Sequence, residues 1–215
     1  MERYVAALLD ANQRLNLTRV TEPEAVARDH LLDSLAALPL LDRCSPGDVV
    51  DLGSGGGVPA IPLALVRREL RWTLVESVGK KAAELRGFVT ALGLGNVTVA
   101  TGRAEELGRD PVHRERYTVA TARACAALPV LAEYALPLLK QGGVLLAWKG
   151  PLAADDPEVL AGTAAIRLLG GDRPRIEPAG VPALGGHRFV IVRKRRATPS
   201  RFPRRPGEPA RRPLA

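Results

Sequence analysis

The run Val50-Asp51-Leu52-Gly53-Ser54-Gly55-Gly56-Gly57 limits this chain more than any other segment. Residues 49–52 form a short apolar stretch of the kind that makes a buried parallel strand, and it empties directly into glycine. Glycines let the backbone take positive φ and let a ligand come closer than any Cβ would permit. A strand that ends in such a loop before a helix begins puts a small-molecule site at the carboxyl edge of an open α/β sheet. Two familiar versions of the loop do not fit. Val58 stands where GxGxxG needs its third glycine, and no Lys-Ser/Thr pair follows, which excludes a P-loop.

The remaining sequence repeats the strand-helix rhythm. The spacing predicts strands near 49–52, 72–76, 97–101, 117–122 and 143–148, with helices over 80–92, 104–107, 128–139 and 157–169. Such alternation means a mostly parallel sheet covered on both faces. The closing segments 175–181 and 187–192 have no helix between them and read as an antiparallel pair. Ahead of the first strand, helical spacing over 2–17 and 22–38 predicts a small N-terminal cap. With 215 residues and 46% hydrophobic content the chain buries one core. We therefore expect a single domain over 1–192, with the cap in 1–44 and a Rossmann-like body in 48–192.

The loop matches GxGxG, the form found in S-adenosylmethionine enzymes, whose ligand carries an amino-acid moiety and a ribose but no pyrophosphate. Gly55 belongs to the loop, and Glu76, closing the run Trp72-Thr73-Leu74-Val75, is the acid expected to accept hydrogen bonds from ribose hydroxyls. After the third strand, Glu105 and Glu106 either face an adenine or satisfy the N-terminus of a short helix. His30 and Asp33 share one helix face, and contact RNA or brace the cap. Lys149, at the end of the fifth strand, is a phosphate contact or a solvated lysine, and Trp148 beside it is expected to pack. Cys44 and Cys125 have no CxxC or histidine partner, which argues for a reducing compartment and against a disulfide or a metal site. No stretch of about 18 residues stays apolar and uncharged, so a cytoplasmic chain without membrane contact is expected.

The net charge of +8 suggests nucleic acid until it is located. Residues 193–215 hold nine Lys/Arg against Glu208, leaving 22 basic and 22 acidic residues in 1–192. That Pro/Arg-rich tail is expected to be a disordered arm, because it has little apolar surface to offset its ordering entropy.

Several further segments, in order, resemble the RsmG (GidB) family, methyltransferases that modify a guanine of small-subunit (16S) ribosomal RNA at N7. They are Asn16-Leu17-Thr18, Arg28-Asp29-His30-Leu31-Leu32-Asp33-Ser34, the glycine loop continued by Val58-Pro59-Ala60-Ile61-Pro62, Thr121-Ala122-Arg123-Ala124-Cys125-Ala126, and Lys149-Gly150. Ala60 departs from the glycine common at that place. The resemblance implies a class I S-adenosylmethionine-dependent methyltransferase fold with a seven-stranded sheet, and 16S rRNA or the small subunit as partner. Carried over residue by residue, cofactor contacts fall on Gly53, Val58, Ala104, Glu105 and Arg123.

Guanine N7 has an in-plane lone pair and no proton to lose, so alignment rather than a general base is expected, with no catalytic residue. Arg123 then anchors the cofactor carboxylate or an RNA phosphate. His30, Asp33 and Lys149 are the candidate substrate contacts. Two other readings stay open at this stage: a methyltransferase for a small molecule or protein, and a non-catalytic nucleotide-binding protein that works through its basic tail.

Overall fold

The apolar runs pair into one seven-stranded sheet. In a computed structural model, which describes residues 1–214, the strands are β1 (Asp48–Leu52), β2 (Arg71–Glu76), β3 (Val97–Thr101), β4 (Tyr117–Arg123), β5 (Leu139–Lys149), β6 (Arg175–Pro178) and β7 (Arg188–Arg193). Their order is β3-β2-β1-β4-β5-β7-β6. β1 to β5 are parallel, and β7 runs antiparallel to both neighbours. The order reverses between β1 and β4, which makes their carboxyl ends the switch point where open sheets bind ligands.

The helices are α1 (Glu2–Leu15), α2 (Pro23–Val26), α3 (Asp33–Leu35), α4 (Leu38–Leu41), α5 (Ala60–Val66), α6 (Gly79–Ala91), α7 (Ala104–Leu107), α8 (Leu128–Ala135), α9 (Pro157–Leu168) and α10 (Glu208–Arg211). Alternating residues of each strand feed two separate cores. Val49, Leu74, Val119 and Leu146 pack with α1, α5 and α6, whereas Val50, Val75, Ala120 and Leu145 pack with α8, α9 and Phe202. Among the described residues no helix is long and apolar enough to cross a membrane.

The cap differs from the two helices expected. The second is interrupted: α2 passes through a π-helical stretch, Ala27–Leu32, before α3, and breaks again ahead of α4. Wider π turns inside helices are frequent at functional sites. This one and the first residue of α3 present the Asp29 carbonyl, His30 and Asp33 to a single guanidinium from β4.

The disordered arm expected from Arg193 onward is corrected over 194–214. Lys194 is fully buried, and its ammonium donates to Glu115 Oε1 and to the carbonyls of Leu136 and Leu139, each at 2.7 Å. Arg114 donates to the carbonyls of Thr198 and Phe202, and Arg109 to that of Pro203. Arg204 forks onto the fully buried Glu133 at 2.6–3.1 Å. Composition counts charges but not the acceptors waiting for them. Here charge-assisted bonds and the burial of Phe202 offset the ordering cost.

Candidate active site

Three adjoining cavities run along the carboxyl edge of the sheet. One of about 200 Å³ is lined by Thr18, Gly53, Gly55, Val58 and Arg123. A second, about 90 Å³, lies between Gly53, Ala104, Glu105, Cys125 and Tyr134. The third, about 490 Å³, is walled by His30, Asp33, Arg123, Trp148, Lys149 and His187. Gly53 joins the first two, Cys125 the last two, and Arg123 the first and third, so the cavities form one track.

The glycine loop is shaped for this edge. Gly53 has φ +67°, and a Cβ there would meet Cys125 Sγ at 3.1 Å. Gly56 is needed for a different neighbour: a Cβ on it would come within 2.8 Å of Leu8, and its carbonyl accepts the Tyr4 hydroxyl at 2.8 Å. The cap helix α1 is therefore seated directly on the loop. Glu76 lies behind it, lining none of the three cavities. Its two oxygens accept the N–H groups of Gly55 at 2.9 Å and Val78 at 2.8 Å, so its first effect is to hold the loop open. Of the acidic pair, exposed Glu106 accepts the Arg103 N–H at the start of α7, while buried Glu105 faces the cavity. Glu105 Oε1 takes the Arg103 guanidinium at 3.0 Å and the Gly207 N–H at 2.7 Å.

Arg123 is the hub of the large cavity. It donates to the Asp29 carbonyl, to Asp33 Oδ2 at 3.1 Å and to His30 Nδ1 at 3.1 Å. Since Arg123 only donates, His30 Nδ1 must carry the lone pair. The ring proton then sits on Nε2 and goes to Thr18 Oγ1 at 2.7 Å. Burial, with Arg123 beside it, moves the His30 pKa below its usual value and favours this neutral tautomer. Asp33 also accepts from His187 Nδ1 at 2.9 Å, and the Trp148 indole donates to the Asp33 carbonyl at 2.9 Å while meeting Phe189 edge-on.

Lys149 is held by Glu158 Oε1 at 2.6 Å and the Ala126 carbonyl at 3.0 Å. Among the described residues, His30, Asp33 and Lys149 therefore spend their polar atoms on other parts of the protein, and shape the cavity wall. Cys125 is no nucleophile at neutral pH, because burial and the nearby Asp51 and Glu76 carboxylates push its thiol up to about 11.

Two participants escaped the sequence reading. His187 comes from 154 residues beyond Asp33 and carries no local signal. Asp51, at the end of the first strand, was not singled out as a contact, and like Glu76 it lines none of the three cavities. It is almost fully buried, with Thr121 Oγ1 donating to Oδ1 at 2.6 Å, and Oδ2 has no partner among the described residues. A carboxylate with an unmet oxygen beside a glycine loop suits a ligand carrying an ammonium group.

Burial raises the Asp51 pKa to about 6. The folded protein thus keeps a proton that the unfolded chain releases near pH 4, and this group's contribution to stability falls as pH rises from about 4 to about 6. Two pKa units correspond to about 3 kcal/mol. Asp51→Asn is expected to remove that dependence and, without ligand, to be more stable than the parent by about 2–3 kcal/mol at pH 7.5 but not at pH 4. Urea denaturation at both pH values checks this; equal differences at both would contradict it.

Comparison with known proteins places this geometry. The sequence model of the GidB family, described as rRNA small subunit methyltransferase G, matches residues 1–173. The chain is 49% identical over 213 residues to Ribosomal RNA small subunit methyltransferase G of Roseiflexus sp. (strain RS-1), covering 99% of this chain and 89% of that one. It is 44% identical over 218 residues to the protein of the same name from Deinococcus deserti, covering 100% and 88%. Both alignments take in the basic C-terminal segment.

Among solved structures, an O-methyltransferase from Bacillus cereus in complex with SAH superposes with TM-score 0.58 at 17% identity, covering 89% of this chain and 91% of that one. A SAM-dependent O-methyltransferase from Thermotoga maritima gives 0.57 at 16%, covering 88% and 71%. At such identities they establish the fold, that of class I S-adenosylmethionine-dependent methyltransferases. Since the match runs through cap, loop and sheet alike, the chain belongs to the GidB family of small-subunit ribosomal RNA methyltransferases.

Proposed function

We propose that the protein transfers a methyl group from S-adenosylmethionine to N7 of a guanine in 16S ribosomal RNA, by in-line displacement and without a general base. The observation that carries this reading is the wall of the 490 Å³ cavity. Arg123, His30, Asp33 and Lys149 are tied to one another or to the backbone, and Cys125 holds its proton. Such a wall orients a base and excludes water, which is all that an in-plane lone pair requires.

Bound S-adenosylmethionine supplies an electrophilic methyl group on a sulfonium. Gly53, Gly55 and Val58 would form its bed, and the buried Asp51 carboxylate behind the loop would supply negative charge for its ammonium. Arg123 would hold its carboxylate, Glu76 would keep the loop shaped for the ribose, and Ala104 and Glu105 would line the adenine side. Product formation leaves positive charge on the guanine. The arginine nearest the target is already offset by Asp33, so it opposes that charge less than a free cation would. The site of action is the cytoplasm, on rRNA or on the assembled small subunit.

One feature favours a second reading. His187 lines the same cavity, with Nδ1 on Asp33 and Nε2 unengaged among the described residues, an arrangement suited to deprotonating a hydroxyl or an amide. His187→Ala separates the two. General-base catalysis contributes about 10²–10⁴-fold, so transfer to N7 is expected to keep kcat within about threefold with the same pH profile. Nucleoside mass spectrometry of rRNA incubated with labelled donor is expected to find 7-methylguanosine. A loss of kcat in the general-base range, or label at another atom, would favour the base-assisted route.

A further inference from the structure

At the foot of β5, on the face covered by the cap, a cavity of about 200 Å³ is lined by Arg43, Arg173, Arg175, Arg193 and Arg195. The five exposed guanidinium groups share two carboxylates. Glu177 lies 3.3 Å from Arg43 and 3.5 Å from Arg175, and Asp172 lies 2.8 Å from Arg195. Among the described residues the guanidinium groups of Arg173 and Arg193 have neither a hydrogen-bond acceptor nor an ion-pair partner. The register explains the convergence: Arg193 stands opposite Val144 on β5, and Arg175 opposite Ile191 on β7. Leu40, Val144, Leu146 and Ile191 make the floor apolar, while the rim is cationic. Crowded like charges repel and add nothing to the stability of the fold. A ligand with several negative charges relieves that repulsion, and planar guanidinium forks match phosphate oxygens two at a time.

We infer that this groove holds the phosphodiester backbone of the RNA substrate, a few nucleotides away from the base that enters the large cavity; the inference rests on the rRNA reading above. Val144 is four residues from Trp148 on the same strand, about 13 Å at strand spacing, so one RNA segment spans foot and top of β5. No aromatic side chain lines the groove among the described residues, so it takes phosphates and does not stack bases. Its contribution is affinity and register, independent of sequence.

The test uses the full chain and an Arg173→Gln/Arg193→Gln variant, which breaks no ion pair. Thermal melting and donor affinity are expected to be unchanged. Affinity for protein-free small-subunit rRNA is expected to fall about tenfold near physiological salt, and the slope of log affinity against log salt to shrink by about 1.5, at about 0.7–0.9 per phosphate lost. KM for RNA rises while kcat holds, and Arg173→Lys/Arg193→Lys recovers most of the affinity.

Unchanged affinity and slope would overturn the inference, as would absence of RNA binding by the parent protein. Displacement of bound RNA by oligoglutamate more readily than by oligophosphate would overturn it in favour of an acidic protein partner. RNA binding that depends on the groove, in a parent protein that labels no rRNA, would leave the groove standing and remove the proposed reaction.

Discussion

Replacing Arg204 with alanine is expected to cost about 3–5 kcal/mol of folding stability, because it strands the Glu133 carboxylate in the core. Glu133 then keeps only the backbone N–H of residue 204 as a donor. For a chain of this size the loss lowers Tm by roughly 10 °C. Ending the chain after Arg193 also removes the buried Lys194 ammonium and the phenyl ring of Phe202, and that product is expected not to fold.

The same segment reaches the active site. Gly207, three residues beyond Arg204, donates to Glu105, so Arg204→Ala is also expected to weaken binding of the demethylated donor in calorimetry. Replacing the pair together, Glu133→Gln with Arg204→Met, removes the stranded charge and is expected to recover part of the stability. Urea denaturation of the three proteins decides the matter. A single variant as stable as the parent would show the tail to be the dispensable arm its composition suggests.

Arg123→Ala is expected to have the larger effect on activity. It leaves the Asp33 carboxylate, nearly inaccessible to water, with His187 alone, and removes three ties between the cap and β4. Breaking a buried pair of this kind costs about 3–5 kcal/mol. Arg123 is also the positive charge that opposes the upward shift of Asp51, so its loss drives that carboxyl further towards the protonated form.

With the cap loosened over both the donor cleft and the target cavity, kcat/KM is expected to fall by a factor of about 10² or more, the scale of a misplacement near 1 Å. Arg123→Lys keeps the charge near Asp51 but cannot fork to three acceptors. It is expected to recover donor affinity better than turnover. Steady-state methylation assays beside calorimetry check this, and equal recovery of both would contradict a role for Arg123 in joining the cap to the sheet.

The parts of this protein that were legible in its sequence are those governed by local repetition. Strands such as β3 (Val97–Thr101), the glycine loop after β1, and the antiparallel closing pair follow from alternation, run length and glycine placement, because each signal spans fewer than a dozen residues. Gly53, Gly55, Val58, Ala104, Glu105 and Arg123 line cavities at the carboxyl edge of the sheet.

Long-range pairing was not legible. Lys149 pairs with Glu158, and Asp33 with Arg123 and His187, on the wall of the large cavity, where a local reading left Lys149 a phosphate contact or a solvated lysine and Asp33 an RNA contact or a brace for the cap. The basic tail shows the same limit most plainly. Its residues look like a solvated arm until Glu115, Glu133 and the carbonyls of Leu136 and Leu139 are brought beside them. The amino-acid order alone determined the sheet, the loop and the kind of ligand the loop holds. Which charges are neutralised, and by what, was decided only by the tertiary structure. The physical reason is that a charge's free energy depends on partners and burial that chain separation does not encode.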